Sequence, residues 1–431
     1  MRKVALLLTV FALTILSAPN VKAQTDHVKY VPKYEDPVLK EMGKKADTLE
    51  DIRDSITEAI RDSLDDEKEL KNERDKTLRF DLTNIVKPTS PDVFRSQFHF
   101  PPVAQYRTGT CWSFSTVSFL ESEVYRLTGR KIKLSEIFPV YYEYIAKARR
   151  YIKRRGDFDL GEGAESNDVI VMMKQHGLVP EEVYPGIVEG VRHDHDRLSD
   201  EIRSYLAYVK DQNLWDEDEI ITHVKVILNR YLGVPPESFT FEGKTMTPPR
   251  FMTEVLRLNP GDYICVMSTL SIPFYTMGVF DVPDNWWRDS SYYNLPVDEW
   301  YAVIKKAIVD GYTTAIGGDN SEPGWNGFED VAIIPDFDVP RKYINQDSRE
   351  FRINNGTTGD DHGLHLVGYM AVDGRDWFLI KDSGRSARWG KFEGYYFMRD
   401  DYIRMKMLTI TIHKDAMREV LNKFSATERR N

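Results

Sequence analysis

Only two of the 431 residues are cysteines, and their surroundings differ chemically. Cys111 follows the turn-like Thr108-Gly109-Thr110 and opens an apolar pattern of helical spacing through Phe114, Val117, Phe119-Leu120 and Val124, closing near Gly129. At a helix N-terminus the aligned peptide dipoles and unpaired amides favour a thiolate, the nucleophilic form of cysteine. Cys265 sits in the apolar run Ile264-Cys265-Val266-Met267 and reads as a small buried hydrophobe. One cysteine placed for reactivity and one for packing argue against a disulfide between them, and two cysteines exclude a disulfide-stapled scaffold or a Cys-rich zinc module. A thiolate nucleophile needs a base. The most informative histidine is His362, in Gly359-Asp360-Asp361-His362-Gly363-Leu364-His365-Leu366-Val367-Gly368-Tyr369, where it opens an apolar strand. A polar group that fixes its tautomer is expected in the next strand, Trp377-Phe378-Leu379-Ile380-Lys381-Asp382-Ser383-Gly384.

The elements that must position these residues follow from periodicity. After the Cys111 helix, a second helix is predicted from Ser135, a plausible N-cap, to about Arg155, with Tyr141, Tyr142 and Ile145 on its apolar side. A third covers roughly Asn167 to Gly177, and the polar stretch after Pro185 reads as helical through about Leu232. A Pro/Gly-rich connection, Gly233 to Pro249, leads to strand-like runs at Tyr263 to Met267, Thr313 to Ile316, Leu364 to Ala371, Trp377 to Lys381, Gly394 to Met398 and Leu408 to His413. Helices first and strands last indicate an α+β fold rather than alternating βαβ units. Before all of this, charges of both signs dominate from Ala46 to Leu78, with Leu49, Ile52, Ile56, Ile60 and Leu64 at helical spacing. That segment reads as a solvated amphipathic helix packed on the main body.

Gln105, then Cys111-Trp112-Ser113-Phe114, then Asp361-His362 with Val367-Gly368-Tyr369, then Ile380-Lys381-Asp382-Ser383, then Trp389-Gly390 and Gly394-Tyr395 occur in an order that resembles the papain-type cysteine peptidases. The resemblance covers Val103 to Met398 and implies a two-lobed fold, with a helical lobe carrying the cysteine and an antiparallel β lobe carrying the histidine. Papain-like chains place the histidine roughly 130–150 residues after the cysteine. Here 251 residues separate Cys111 from His362. The surplus falls in the helical stretch after Pro185, about 186–250, and around Trp286-Trp287, which makes the resemblance closest to the bleomycin hydrolase and aminopeptidase C branch. Leu134-Ser135, His176-Gly177-Leu178-Val179-Pro180 and Leu295-Pro296-Val297-Asp298 are similar to that branch as well.

Carried onto these positions, the resemblance implies Cys111 as nucleophile, His362 as general base and acid, Gln105 as oxyanion donor with the Cys111 amide, and Asp382 in place of the family's asparagine. Gly163-Ala164 match the two consecutive glycines whose backbone binds extended substrate. Three departures stand out. Asp382 brings a negative charge to the imidazole and should raise its pKa. Gly384 replaces the tryptophan that shields this hydrogen bond, which predicts a wetter pair unless Trp389 or Trp377 covers it. Ala164 adds a methyl group expected to narrow the cleft. The implied substrates are peptides, cleaved in aminopeptidase or broader exopeptidase fashion. The alternatives are an endopeptidase, an amide hydrolase on the same triad, and a non-catalytic peptide-binding relative. Homo-oligomer formation is implied by the branch only.

The remaining signals are weaker. His365, three residues from His362, reads as structural on the other strand face. His193-Asp194-His195 reads as a solvated loop, and Asp157, Asp159, Glu162 and Glu165 lack the pattern of a calcium loop. No metal and no cofactor are expected. Trp286-Trp287 and Tyr292-Tyr293 fit packing beneath the insertion at least as well as a subsite. The formal net charge of −10 argues against nucleic-acid binding. Met1-Arg2-Lys3, the apolar run Val4 to Leu16 and Val21-Lys22-Ala23 read as a secretory signal over 1–23, cleaved to leave Gln24 at the N-terminus. The expected mature chain is exported, periplasmic or extracellular, and has no membrane span. A charged helical extension over 24–90 then precedes a peptidase domain over 91–431.

Overall fold

The computed structural model describes residues 81–83, 85–321 and 324–428, with scattered positions between 38 and 60. The chain divides between residues 77 and 78 into two units. The described positions of the first are helical and exposed, with Ile52, Ile56 and Ile60 all open to solvent. A Lys45–Glu41 ion pair at 2.8 Å one turn apart supports that helix. The expected signal segment, and Leu49 and Leu64 of the apolar stripe, lie outside the described residues.

In the second unit the helices come first: α1 Cys111–Thr128, α2 Ile137–Lys153, α3 Ser166–His176, α4 Asp196–Asp211 and α5 Glu217–Leu232. Each has a local cause. Gly129 ends α1 in the left-handed conformation that glycine adopts freely. The Ser135 hydroxyl accepts the Phe138 amide at 3.1 Å at the start of α2, and Asp216 caps α5 through the Glu219 amide. α4 and α5 place Leu198, Ile202, Leu206, Ile220, Val224 and Leu228 in the same apolar interior as α1 to α3.

The principal strands are β1 Tyr263–Met267, β2 Thr314–Gly318, β3 His362–Val372, β4 Arg375–Lys381, β5 Tyr395–Arg399 and β6 Met407–His413, with α6 Val297–Val309 between the first two and α7 Arg418–Glu428 at the end. They belong to one eleven-stranded sheet in which β1, β6, β2, β3, β4 and β5 are successive neighbours. All five of those pairings are antiparallel. The flanking strands Met277–Gly278, Tyr292–Asn294, Val331–Ala332 and Trp325–Asn326 have two or three residues each, too few for an alternating pattern to show in sequence. The sheet's own apolar interior centres on Trp300, Ile304, Leu364, Phe378, Ile380, Met398 and Ile410.

α1 joins the two halves. Every residue from Trp112 to Val124 is buried, so the helix is covered on all sides rather than on one face. It meets β3 where Gly363 leaves room: a Cβ there would lie 2.9 Å from Ser115 Oγ and 3.2 Å from Trp112 Cα. Further along, Ser118 Oγ lies 2.8 Å from His365 Nδ1 and accepts a 2.8 Å hydrogen bond from Lys381 Nζ, which holds β3 and β4 against the helix. Among the described residues no helix is long and apolar enough to cross a membrane.

Candidate active site

The close approach at Gly363 sets the N-terminal residue of α1 beside the first residue of β3, so Cys111 and His362 meet across the junction. Cys111 is half-buried, and its sulfur is within hydrogen-bonding reach of the His362 ring. On the other side of the ring, His362 Nε2 lies 2.7 Å from Asp382 Oδ1. A carboxylate only accepts, so Nε2 carries the hydrogen and Nδ1 is the nitrogen left for the thiol. Asp382 stands directly after β4, the antiparallel neighbour of β3, and its Oδ1 also accepts the Gly384 amide at 2.7 Å. Burial opposes a charged imidazole, yet Asp382 and Cys111 together hold the His362 pKa well above the ordinary histidine value.

The expectation of a wet His–Asp pair is not met. Asp382 is 1% exposed and His362 9%. Neither tryptophan provides the cover: Trp377 is packed with Phe94 and Phe397 in a separate apolar cluster, and Trp389 is exposed beside Phe328. The backbone at Gly384 does it instead. A Cβ at that position would lie 3.0 Å from His362 Nε2 and 3.1 Å from Asp382 Oδ1, so the main chain itself lies against the pair. Asp382 Oδ2 is buried without a hydrogen-bond partner among the described residues.

Gln105 is held from two directions. Its Oε1 accepts the Ser383 hydroxyl at 2.7 Å, and its Nε2 donates to Thr108 O at 2.7 Å, which leaves the second amide hydrogen available. The Gln105 backbone amide also donates to Ser383 O at 3.0 Å. Gln105 and His362 line one cleft of about 870 Å³ together with Gly109, Glu162, Gly384, Arg385 and Trp389. The amide of Cys111 is among the first-turn donors that an α-helix leaves without an internal partner.

Glu162, which lacks a calcium-loop pattern in sequence, takes a different role in the fold. Its Oε2 accepts the Gly109 amide, its Oε1 accepts the Tyr144 hydroxyl at 3.0 Å and contacts His195 Nδ1, and its carbonyl accepts Trp112 Nε1 at 3.1 Å. Burial pushes its carboxyl up, but His195 and these donors outweigh that and hold it below the usual glutamate range. The His193–His195 segment is therefore not a solvated loop. It pairs with Arg107 as a short parallel bridge, and His195 is buried. Residues of the helical stretch beyond it, including Asp196, Ser199 and Arg203, line the cleft.

Gly163 and Ala164 follow Glu162 beside the start of α1. The Ala164 methyl is buried in the helical interior and does not narrow the cleft. Gly163 faces Asp284, whose carboxylate stands where a Cβ would be, with Oδ1 2.6 Å from that position. Trp286 is buried with its Nε1 on Glu143, a packing role. Cys265 is a free thiol 3.2 Å from Thr411 Oγ1, and burial pushes it up to about 12.

A cysteine on a buried helix facing a histidine and a carboxylate on neighbouring strands, in an α+β body, defines the papain-like class. The profile of the Peptidase C1-like family matches residues 160–429, more than half of the chain, and the chain belongs to that family of cysteine peptidases. The solved structure of PepW from Lactobacillus rhamnosis HN001 has a TM-score of 0.60 at 16% identity, covering 79% of this chain and 86% of that one; at this identity the likeness is one of fold. A structure concerning the mite allergens Blo t 1 and Der p 1 gives a TM-score of 0.36 at 15% identity, with 78% and 75% covered, too low to carry an argument. No curated protein sequence matches the chain.

Proposed function

We propose that the protein is an exported peptidase that cleaves peptide bonds through an acyl-enzyme on Cys111, acting at the N-terminal end of its substrates. The observation that carries the reading is the juxtaposition of the Cys111 sulfur, the His362 ring and Asp382 Oδ1, with the Gln105 amide on the same cleft. The Cys111 thiolate attacks the scissile carbonyl carbon. The oxygen, now negative, accepts from the Cys111 amide and from the free Gln105 Nε2 hydrogen. His362 gives its Nδ1 proton to the leaving amine as the C–N bond breaks, which leaves a thioester. Water, deprotonated by His362, then attacks the thioester, releasing the acid and restoring the thiolate. Asp382 holds the ring and supports its positive charge throughout.

The resemblance to the aminopeptidase C branch supports exopeptidase action, and the Asp284 carboxylate stands over Gly163, one of the two positions that the resemblance assigns to binding extended substrate. The test is mass spectrometry of a defined peptide mixture incubated with wild type and with Cys111→Ala. The reading predicts stepwise removal of N-terminal residues by wild type and none by the variant. Internal cleavage, or equal activity in the variant, would refute it. Export rests on the N-terminal sequence pattern, and Edman sequencing of the protein from its native source should begin at Gln24; a retained Met1 refutes export by this signal.

A further inference from the structure

The cleft around Cys111 and His362 is charged differently at its two ends. Toward Glu162 and α4 each cation has an acidic neighbour: Arg107 pairs with Asp194 and Asp196, and Arg203 shares α4 with Asp200 one turn away. Beyond His362 the wall is formed by Asn320, Gly384, Arg385, Ser386 and Trp389, and among the described residues of that wall there is no carboxylate. Two arginines follow Gly384, and they are used differently. Arg388 donates to the carbonyls of Ser383 and Gly384, at 3.3 and 2.9 Å, and lies 3.5 Å from Glu393, so it braces the backbone path that covers the His362–Asp382 pair. Arg385 is exposed, and its guanidinium makes no hydrogen bond or ion pair among the described residues. It lies over the Trp389 ring, 5.9 Å from the centroid. That ring packs against Phe328 at 5.2 Å between centroids, and both rings are nearly half exposed. The leaving wall is thus an open apolar shelf with one unmatched positive charge held above it.

In the reaction proposed above, His362 hands its proton to the leaving amine, so the departing part of the substrate extends past the imidazole. The acyl part runs the other way, toward Glu162 and the Gly163-Ala164 step. Past the imidazole stands the wall at Gly384, whose backbone lies against His362. We infer that Arg385 receives a carboxylate carried by the first residue of the departing part, either its acidic side chain or, in a dipeptide, its terminal carboxyl group. This deepens the proposed peptidase reading and rests on it. The guanidinium offers a planar fork of donors that matches a carboxylate, and no carboxylate on the same wall competes for it. The contact forms before the C–N bond breaks and is gone once the amine has left. It therefore bears on formation of the thioester and not on its hydrolysis, and it adds no covalent step.

The experiment uses four substrates that share an N-terminal leucine: Leu-Asp amide with its neutral isostere Leu-Asn amide, and the dipeptide Leu-Gly with its neutral counterpart Leu-Gly amide. Leucine release is followed by chromatography, and kcat/KM is measured for wild type, Arg385→Gln and Arg385→Lys. Alkylation of Cys111 by a thiol-reactive epoxide verifies that each variant is folded. Wild type should favour the carboxylate member of a pair by about threefold to thirtyfold, between the worth of an exposed ion pair and that of a charge-assisted hydrogen bond. The pair that shows the preference identifies the side chain or the terminus as its source. Arg385→Gln should bring the ratio close to one, Arg385→Lys should keep part of it, and added salt should shrink it in wild type. Wild-type ratios near one in both pairs, or a preference that persists in Arg385→Gln, overturn the inference and leave N-terminal cleavage standing. Release of no leucine from any of the four refutes the N-terminal reading, and this inference with it.

Discussion

Replacing Gln105 with alanine separates transition-state stabilisation from nucleophile activation. Gln105 spends one Nε2 hydrogen on Thr108 O and accepts Ser383 Oγ at Oε1, both at 2.7 Å, so a single hydrogen is left for a developing oxyanion. Loss of one such donor costs about 10²–10³ in kcat, roughly 2.7–4 kcal/mol. The Ser383 hydroxyl touches only the oxygen end of the side-chain amide, so Ser383→Ala removes an aiming contact worth about 0.5–1.5 kcal/mol, roughly twofold to tenfold in rate, and leaves the backbone bond from the Gln105 amide to Ser383 O in place. In a Gln105→Ala background that contact no longer exists. Adding Ser383→Ala there should then change kcat by less than about twofold, and the coupling energy should equal the single Ser383 effect. The assay is hydrolysis of a fluorogenic aminoacyl amide at saturating substrate, paired with the rate of Cys111 alkylation. Alkylation forms no tetrahedral oxyanion and should stay near the wild-type rate in all three variants. An unchanged kcat in Gln105→Ala, or a Ser383→Ala penalty of the same size in both backgrounds, would defeat the assignment of Gln105 as the donor.

Asp382→Asn keeps a hydrogen-bond acceptor but removes the charge that offsets burial and holds the His362 pKa up, so the alkaline limb of kcat/KM should move to lower pH; an unmoved limb would contradict the account. The same shift has a stability sign. Because the folded-state pKa is raised above 6.5, the pair's contribution is fully present below that value and fades as pH rises through the folded-state pKa, which urea unfolding at several pH values can follow. Gly384→Ala puts a methyl 3.0 Å from His362 Nε2 and must displace the pair by a few tenths of an ångström; since about 1 Å of misplacement costs roughly 10² in rate, kcat should drop about threefold to thirtyfold. A Gly384→Ala enzyme with wild-type kcat would show that the backbone yields there without cost. Glu162→Ala leaves the Gly109 amide, the Tyr144 hydroxyl and His195 without their shared acceptor and should cost about 3–5 kcal/mol of stability. Glu162 is held below 4.5, so its contribution is present above 4.5 and is lost as pH falls through the lower folded-state value; wild type and variant should converge in stability under acid conditions.

Sequence periodicity located the long strands to within a few residues because each carries a continuous or alternating apolar run, as Leu364 to Ala371 and Trp377 to Lys381 do. The helices were legible for the same reason and from their ends, Gly129 and Ser135 among them. Cys111 and His362 stood out because each begins an element, where a side chain is free to face a cleft. What stayed hidden depends on distance in the chain. Nothing local to Glu162 announces Gly109 or His195 as partners, and nothing local to Gly163 announces Asp284. Gly384 was visible as a missing tryptophan, yet the substitute for that cover is a backbone path, which composition does not encode. Ser383 lies in the matched motif, but its hydroxyl bonds Gln105, 278 residues away, a partner that its neighbours in sequence do not specify.

That separation bears on when the protein acquires reactivity during synthesis. The nucleophile's helix is made early, but the imidazole heads β3, a strand bordered on both sides by β2 and β4, and the next neighbour of β2 is β6 near the end of the chain. Long-range pairings of this kind close late, after the loop entropy between them has been overcome. A ribosome-bound chain that has released Gln105 and Cys111 therefore carries an ordinary thiol with no base and no aimed amide. The three side chains of the proposed triad are therefore brought together only when β3 and β4 have paired and docked on α1.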